Sequence, residues 1–253
     1  MPPQLIDTHC HIHEASYPLA VEEVVQRAED AGVTRLVCVG TNMQSSREAI
    51  EFAASRDNAY AVIGVHPHDT VGGVAQIRDM AHEAEIIAIG EIGLDYFYMH
   101  SPREVQLRAL EEQLQVAIDR SLPVVFHVRE AFEDFWPIVD NFSQLRGGVL
   151  HSFTGELVDL ERGLGRGLYI GVNGISTFTK DRMQQDMFRA IPVEKMVLET
   201  DAPFLTPSPF RGKVNEPSMV REIGQFHATQ REMSLEELAH RTTANAVQLF
   251  GIA

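Results

Sequence analysis

Two histidines separated by a single residue end the first apolar run of the chain. The segment reads Ile6-Asp7-Thr8-His9-Cys10-His11. On a β-strand, residues i and i+2 point to the same face, so the imidazoles of His9 and His11 can meet at one point. A His-x-His pair at the carboxyl end of a strand is suited to chelating a divalent metal. The pair therefore predicts a metal site at the end of the first strand.

Further residues of metal-ligand type end other apolar runs of the chain. Glu91 ends the fourth run, His127 the fifth and His151 the sixth, and the eighth leads through Glu199 to Asp201. A single histidine at the end of a buried strand is usually a hydrogen-bonded packing residue. Packing alone is a poor explanation when residues of metal-ligand type end five of the runs. The six candidate ligands are His9, His11, Glu91, His127, His151 and Asp201.

The mixed set of imidazoles and carboxylates suits Zn²⁺, Mn²⁺, Mg²⁺ or Fe²⁺, so the residue types do not identify the metal. Four histidines and two carboxylates exceed the three protein ligands that a hydrolytic zinc ion usually has, which favours two ions. The expected assignment is His9, His11 and Asp201 for the first ion, His127 and His151 for the second, and Glu91 as the bridge.

A pair of ions of this kind predicts hydrolysis. Two divalent ions about 3.5–4 Å apart can stabilise both the attacking and the leaving oxygen of a phosphoester. The nucleophile would be a metal-activated water, because bound metal lowers the pKa of water. We expect Asp201 to accept the proton of that water and Glu91 to be required for turnover.

Short apolar runs that alternate with helical patterns must position these residues. Several runs are rich in Val and Ile without polar alternation, as expected of parallel strands buried on both faces. Eight strands in βα alternation predict an α/β fold, a single (β/α)8 TIM barrel, whose active site lies at the carboxyl ends of the strands. A doubly wound sheet is the rival fold, but no glycine-rich nucleotide fingerprint follows the first strand. The eight runs cover residues 5–6, 35–39, 60–65, 86–89, 124–128, 148–150, 168–172 and 196–198.

Helix-capping signals lie between these runs. A capping box is predicted to start at Ser101, with Pro102 at the first helical position, and a second one at Ser234. Gly32 is expected to end an early helix. No linker, repeat or low-complexity segment interrupts the pattern, so residues 1–253 are expected to form one domain.

Composition restricts the class of protein. The chain has 253 residues, of which 44% are hydrophobic and 23% charged, as is usual for globular proteins. No apolar run approaches the roughly 18 residues of a membrane span, and the amino terminus lacks the features of a secretory signal. Cys10 and Cys38 lie in apolar runs and are expected to be reduced. These features predict a cytoplasmic protein.

The formal net charge of −15 argues against a broad basic surface that binds nucleic acid by counterion release. It is compatible with an enzyme whose positive charge comes from bound metal and which acts on ends or short stretches of nucleic acid. We expect no membrane partner, and no protein partner is evident from the sequence.

Several motifs resemble those of the TatD family of metal-dependent hydrolases, within the amidohydrolase-like barrel superfamily. The similarity extends over nearly the whole chain and follows the order of the family. The matching segments are DTHCH at 7–11, GVHPH at 64–68, GEIGLDY at 90–96, PVVFHVRE at 123–130, LHSFTG at 150–155, LETDAPFLTP at 198–207, RGKVNEP at 211–217 and TTANAVQLF at 242–250.

The resemblance implies that the known ligands of the family correspond to the six residues named above. It also implies a divalent-metal deoxyribonuclease, of the 3′-to-5′ exonuclease type in some members, with DNA ends or single strands as substrate. Ser152 stands where members often have cysteine or glycine, and no metal position is lost. We expect His66 to contact a phosphate or leaving group, with a loop histidine that shapes the turn before Pro67 as the alternative. Arg211 would either bind a phosphate in bidentate fashion or form a surface salt bridge.

Two other functions remain open. The same centre would suit a carboxylic ester or amide as substrate, such as D-aminoacyl-tRNA, although relatives of that kind often bridge their metals with a carboxylated lysine where this chain has Glu91. A non-catalytic, metal-stabilised binding module is the third hypothesis, and it requires a closed ligand shell.

The roles of several rim residues are also open. Asp95 would orient a ligand histidine, contact the substrate or lie in solvent. Tyr96, Phe97 and Tyr98 would either stack on bases or form a packed lid. The remaining histidines are interpreted as structural: His13, His82, His100, His227 and His240.

Overall fold

A computed structural model describes residues 3–252 and contains the eight predicted strands in one parallel sheet. Each strand pairs with the next along the chain, in the order β1 to β8. The strands are β1 (Leu5–Cys10), β2 (Val33–Val39), β3 (Ala59–Ile63), β4 (Ile86–Asp95), β5 (Val124–Arg129), β6 (Gly148–Leu150), β7 (Tyr169–Val172) and β8 (Met196–Leu198).

The end of β1 meets the segment after β8 and closes the sheet on itself. The backbone N–H of Asp201 donates to the carbonyl of His9 at 2.9 Å, and that of His11 donates to the carbonyl of Ala202 at 2.8 Å. Both bonds lie at the carboxyl ends of the strands. The predicted barrel is therefore confirmed, and the open doubly wound sheet is wrong.

Helices connect the strands and surround the barrel. The final helix begins at the predicted N-cap, because the Ser234 side chain accepts a hydrogen bond from the N–H of Glu237. The reciprocal bond of a capping box is not formed, since the Glu237 carboxylate accepts from Arg241 instead. The helices are α1 (Val21–Asp30), α2 (Met43–Ala54), α3 (Ala75–Met80), α4 (Arg103–Arg120), α5 (Phe132–Asn141), α6 (Leu157–Gly165), α7 (Ile175–Phe178), α8 (Arg182–Ala190), α9 (Val220–Gln230) and α10 (Leu235–Phe250).

The predicted capping box at Ser101 is wrong. Pro102 occupies the N-cap position of α4, which begins one residue later, and no side chain caps that end. The Ser101 hydroxyl instead donates to the carbonyl of His68 at 2.7 Å. The hydroxyl therefore makes a tertiary contact instead of capping the helix.

The predicted end of the early helix is confirmed. Gly32 follows α1 with a φ of +87°, a conformation that glycine adopts easily.

Two apolar layers hold the barrel together. Inside it, residues from the strands, such as Val37, Val125 and Val197, pack together, and the end of α10 covers one opening with Phe250. A second layer fills the space between the strands and the surrounding helices. Within residues 3–252, no helix is both long and apolar enough to cross a membrane.

We predict that Phe126→Ala strongly destabilises the barrel. Phe126 is fully buried and packs edge-to-face on Phe135 of α5, with 5.1 Å between ring centroids. Truncation of such a residue leaves a cavity and costs about 3–5 kcal/mol in the free energy of unfolding, measurable by urea denaturation. Phe97→Ala is the control, because that ring is 50% exposed and its removal should cost no more than about 0.5 kcal/mol. Equal losses in the two variants would contradict this assignment of the core.

Candidate metal centre

The carboxylate of Glu91 lies at the centre of the barrel mouth, among histidines from several elements. Its Oε1 atom is 2.7 Å from Nδ1 of His127, 3.5 Å from Nε2 of His151 and 3.6 Å from Nε2 of His66. Its Oε2 atom is 3.4 Å from Nε2 of His9. Glu91 is 3% exposed, so this carboxylate is almost closed to solvent.

The first strand and the segment after the last strand supply the other side of the centre. The Nε2 atoms of His9 and His11 are 3.2 Å apart, as the His-x-His spacing predicts. Oδ1 of Asp201 is 3.3 Å from Nε2 of His11, 3.8 Å from Nε2 of His9 and 3.9 Å from Nε2 of His151. All six candidate ligands therefore converge on one site.

A backbone carbonyl orients one of these imidazoles. Nδ1 of His11 lies 2.7 Å from the carbonyl oxygen of Val39, the last residue of β2. Since a carbonyl can only accept, Nδ1 carries a proton. In a neutral ring, Nε2 then presents its lone pair to the centre, which is the usual arrangement of a metal-bound histidine.

The donor set fits divalent metal. His9, His11 and Glu91 each offer one ligand atom within 4.8 Å of the others, and so do His66, Glu91 and His127. The rings of His9 and His151 stack with their centroids 3.5 Å apart, which two protonated imidazoles would resist. A shared cation would satisfy nitrogen donors and carboxylates together.

Glu199 is a functional candidate that the sequence interpretation passed over. Its Oε1 lies 3.0 Å from Nδ1 of His151, in poor alignment for a hydrogen bond, and accepts from the N–H of Ser152 at 2.6 Å. A Cβ atom at Gly171 would lie 2.4 Å from Glu199 Oε2, so the glycine makes room for this carboxylate. The carboxylate–histidine arrangement is typical of metal sites. In the sequence, this role of Glu199 was indicated by its position two residues before the candidate ligand Asp201.

Asp95 links two histidines at the edge of the centre. Its Oδ2 is 3.1 Å from Nε2 of His127 and 3.0 Å from Nε2 of His68. Asp95 is therefore a buried orienting residue and not a solvated loop acid. The ring of His100, a histidine interpreted as structural, lies 4.4 Å from that of His68 at this edge.

The charges of the centre compensate one another. Burial raises the pKa of Glu91, but the positive charge of His151 and hydrogen bonds from His127 and His9 outweigh it and hold that pKa well below its usual value. Burial likewise lowers the pKa of His151, whereas the carboxylates of Glu199 and Glu91 raise it to about 10. The centre thus pairs carboxylates with protonated imidazoles, and a divalent ion would displace those protons.

Hydrogen bonds with two buried side chains fix the turn that contains Asp201. Asp201 has a φ of +58°, in the left-handed region that Asp tolerates better than most residues. Asp7 accepts from the N–H of Thr200 at 2.8 Å, and the side chain of Asn215 donates to the carbonyl of Thr200 at 2.8 Å. Asp7 of the DTHCH segment and Asn215 of the RGKVNEP segment therefore position the turn.

The two predicted substrate-binding residues lie in different surroundings. His66 is 9% exposed and contacts Glu91, so it belongs to the cluster itself. Arg211 is exposed, donates to the carbonyl of Thr206 at 2.8 Å and stacks over Phe178 at 3.9 Å from the ring centroid. Among residues 3–252, no hydrogen bond or ion pair joins Arg211 to the six candidate ligands.

Comparison with known sequences finds one family over nearly the entire chain. The family described as TatD related DNase matches residues 6–251. A metal-dependent hydrolase of Bacillus subtilis, YabD, is 36% identical over 253 residues, which cover 98% of this chain and 99% of the relative. The 3′-5′ ssDNA/RNA exonuclease TatD of Escherichia coli K12 is 35% identical and is matched over 98% of this chain and its own full length.

Solved structures give the same result for the fold. The TatD homologue YjjV of Escherichia coli K12 superposes with a TM-score of 0.92 at 29% identity, with both chains fully covered. A phosphotriesterase homology protein from Escherichia coli superposes with a TM-score of 0.67 at 14% identity, which shows a shared barrel only.

We predict that Glu199→Gln weakens metal binding by about 10- to 100-fold, because loss of the carboxylate partner of a ligand histidine typically has an effect of this size. Isothermal titration of the metal-free protein with Mn²⁺ or Zn²⁺ would measure it. Glu216→Gln is a matched control, since Glu216 is also buried but pairs with Arg27, away from the centre. Unchanged affinity in Glu199→Gln would show that Glu199 does not support the centre.

Proposed function

This chain belongs to the TatD-related DNase family of metal-dependent hydrolases, and on that premise we propose that it cleaves phosphodiester bonds at DNA ends or in single strands. A 3′-to-5′ exonuclease is the activity we infer, because that is the named activity of the TatD relative. The observation that carries the proposal is the convergence of four histidines and two carboxylates around Glu91 at the carboxyl ends of the barrel strands.

Two divalent ions, of zinc, magnesium or manganese, are the proposed cofactors. When bound, they would supply a water of lowered pKa and neutralise the charge that develops on the phosphate. Within the cluster, Glu91 has oxygens facing both sides of the centre, which suits a shared ligand. The proposed assignment is His9, His11 and Asp201 for one ion, His127 and His151 for the other, and Glu91 for both.

Asp201 is the proposed proton acceptor. Burial raises its pKa, but its hydrogen bond with His11 and the charge of His151 lower that pKa overall, so the carboxylate is ionised. Its side chain is 14% exposed, compared with 5% for Glu91, and is thus the more accessible carboxylate of the two to water. Glu91 holds the ligand histidines in place, and Glu199 keeps His151 oriented.

His66 and Arg211 are the proposed substrate contacts. In His66, Nδ1 accepts a hydrogen bond from the N–H of His68 at 3.1 Å, so a neutral ring carries its proton on Nε2. That nitrogen faces the cluster and can donate to a phosphate oxygen. Arg211 would reach the substrate from the loop after β8. A cytoplasmic location and a single domain over residues 1–253 complete the proposal.

We predict that Glu91→Gln and Asp201→Asn each abolish most turnover and weaken metal binding together. Both changes keep the size of the side chain but remove a charge that faces several imidazoles. Digestion of end-labelled DNA and metal titration would be measured on the same preparations. Either variant with full activity and stoichiometric metal would contradict the assignment.

Assays after removal and restoration of metal distinguish the proposed substrates from one another. We expect a chelator to abolish activity and Mg²⁺, Mn²⁺ or Zn²⁺ to restore it. The restored enzyme would be assayed on single-stranded DNA labelled at either end, on a simple phosphodiester and on D-aminoacyl-tRNA. Cleavage confined to D-aminoacyl-tRNA would overturn the nuclease proposal in favour of an ester hydrolase, and the absence of any turnover would favour a binding module.

A further inference from the structure

Two aromatic side chains project into solvent beside the candidate metal centre. Phe97 and Tyr98 lie two and three residues after the end of β4, the strand that carries Glu91, and each is 50% exposed. Their rings meet edge-to-face, with 4.7 Å between centroids and 88° between planes. Tyr96, by contrast, turns inward and its hydroxyl donates to Asp134 at 2.6 Å. The predicted aromatic cluster is therefore divided into one anchoring ring and two exposed ones.

The guanidinium of Arg129 lies against both exposed rings. Its Cζ atom is 4.1 Å from the ring centroid of Phe97 and 4.9 Å from that of Tyr98, within the range of cation–π contacts. Arg129 ends β5 two residues after His127 and pairs in register with Asp95 of β4. Aromatic faces and a fixed positive charge thus occur together at the end of two ligand-bearing strands.

Among the residues that the structure describes, this positive charge has no carboxylate partner. Within residues 3–252, the side chain of Arg129 makes no ion pair and no hydrogen bond, although the chain carries a net charge of −15. Arg103, on the same side of the barrel, instead forms hydrogen bonds of 2.7 Å with both carboxylate oxygens of Asp134. An unpaired guanidinium in an acidic protein is suited to an anionic ligand.

Asp95 fixes the aromatic pair relative to the metal centre. Its Oδ1 accepts from the N–H groups of Phe97 at 3.0 Å and Tyr98 at 2.9 Å, while its Oδ2 contacts His127 and His68. The side chain of Gln106 accepts from the N–H of Asp95 at 2.8 Å and donates to its carbonyl at 3.1 Å. The exposed rings are therefore held by the same carboxylate that orients a candidate ligand.

We propose that Phe97, Tyr98 and Arg129 form a nucleotide subsite, which stacks an unpaired base and binds a backbone phosphate next to the bond being cleaved. The subsite presupposes the phosphodiesterase activity proposed above. Aromatic rings stack on the faces of unpaired bases irrespective of their identity, whereas bases inside a duplex do not expose those faces. Two half-exposed rings are also far too small for a stable protein interface, which buries roughly 1,000 Å² or more.

A comparison of two substrates tests the stacking. The metal-loaded enzyme would be given single-stranded oligonucleotides that differ at one position near the cleaved end, where one has a base and the other a reduced abasic sugar. At one of the three terminal positions, the wild type should cleave the base-containing strand with about tenfold higher kcat/KM, as expected for one stacked base. The double variant Phe97→Ala/Tyr98→Ala should cleave both strands equally, at the wild-type rate for the abasic one.

The dependence on salt tests the phosphate contact. Arg129→Gln should reduce the slope of log kcat/KM against log salt concentration by about 0.7, the value for one phosphate of a single strand. Arg129→Lys should restore the slope, because it keeps the charge. Arg103→Gln is the matched control, since its guanidinium is already occupied by Asp134, and it should leave the slope unchanged.

Several outcomes would overturn the subsite. An aromatic double variant that keeps the full base preference, or that loses the same factor on both strands, shows that the rings do not stack on a base. If Arg129→Gln leaves the dependence of kcat/KM on salt unchanged, Arg129 does not contact a phosphate of the substrate. A dimer that Phe97→Ala dissociates would assign the patch to a second copy of the chain. Met183→Ala, which removes an exposed side chain of α8, should alter none of these measurements.

Failure of the nuclease proposal would look different. If the metal-loaded wild type bound the oligonucleotides without cleaving them, the proposed activity would be wrong. The same comparison would then be made by fluorescence anisotropy. A Kd about tenfold lower for the base-containing strand, lost in the aromatic double variant, would still support the subsite. Equal Kd values for the two strands would overturn it.

Discussion

A buried carboxylate requires compensation by positive charge, because moving an isolated ion out of water is very costly. At the mouth of this barrel the requirement centres on Glu91, whose oxygens face imidazoles from β1, from β5 and from the segments after β3 and β6. Protons on the histidines, or bound divalent metal in their place, provide that compensation. The chemistry of the site and the integrity of the strand ends around it therefore depend on one charge balance.

Closure of the barrel makes this balance possible. The bonds between β1 and the segment after β8 place His9, His11 and Asp201 side by side, although Asp201 is far from the others in the sequence. Residues that do no chemistry themselves, such as Asp7 and Asn215, fix the turn in which Asp201 adopts a positive φ. Asp7 of the DTHCH segment and Asn215 of the RGKVNEP segment thus serve the geometry of the closure.

The periodicity of the sequence was enough to predict the barrel and the convergence of the six candidate ligands, because the carboxyl ends of parallel strands meet on one face. It was not enough to assign roles that depend on side-chain direction. Glu199 and Asp95 differ little in sequence from solvated loop acids, and only the folded chain shows which imidazole each one faces. The cap predicted at Ser101 failed for the same reason, since a carbonyl distant in sequence accepts its proton.

One oxygen of Asp95 accepts hydrogen bonds from the backbone of the exposed aromatic residues, and the other contacts His127, a candidate metal ligand. A single carboxylate therefore fixes both groups. Anything that moves this carboxylate when it binds on one side must alter affinity on the other side, and by thermodynamic reciprocity the factor is the same in both directions. The nucleic-acid strand and the metal would then be coupled ligands. An enzyme organised in this way would change its affinity for metal when a nucleic-acid end is bound.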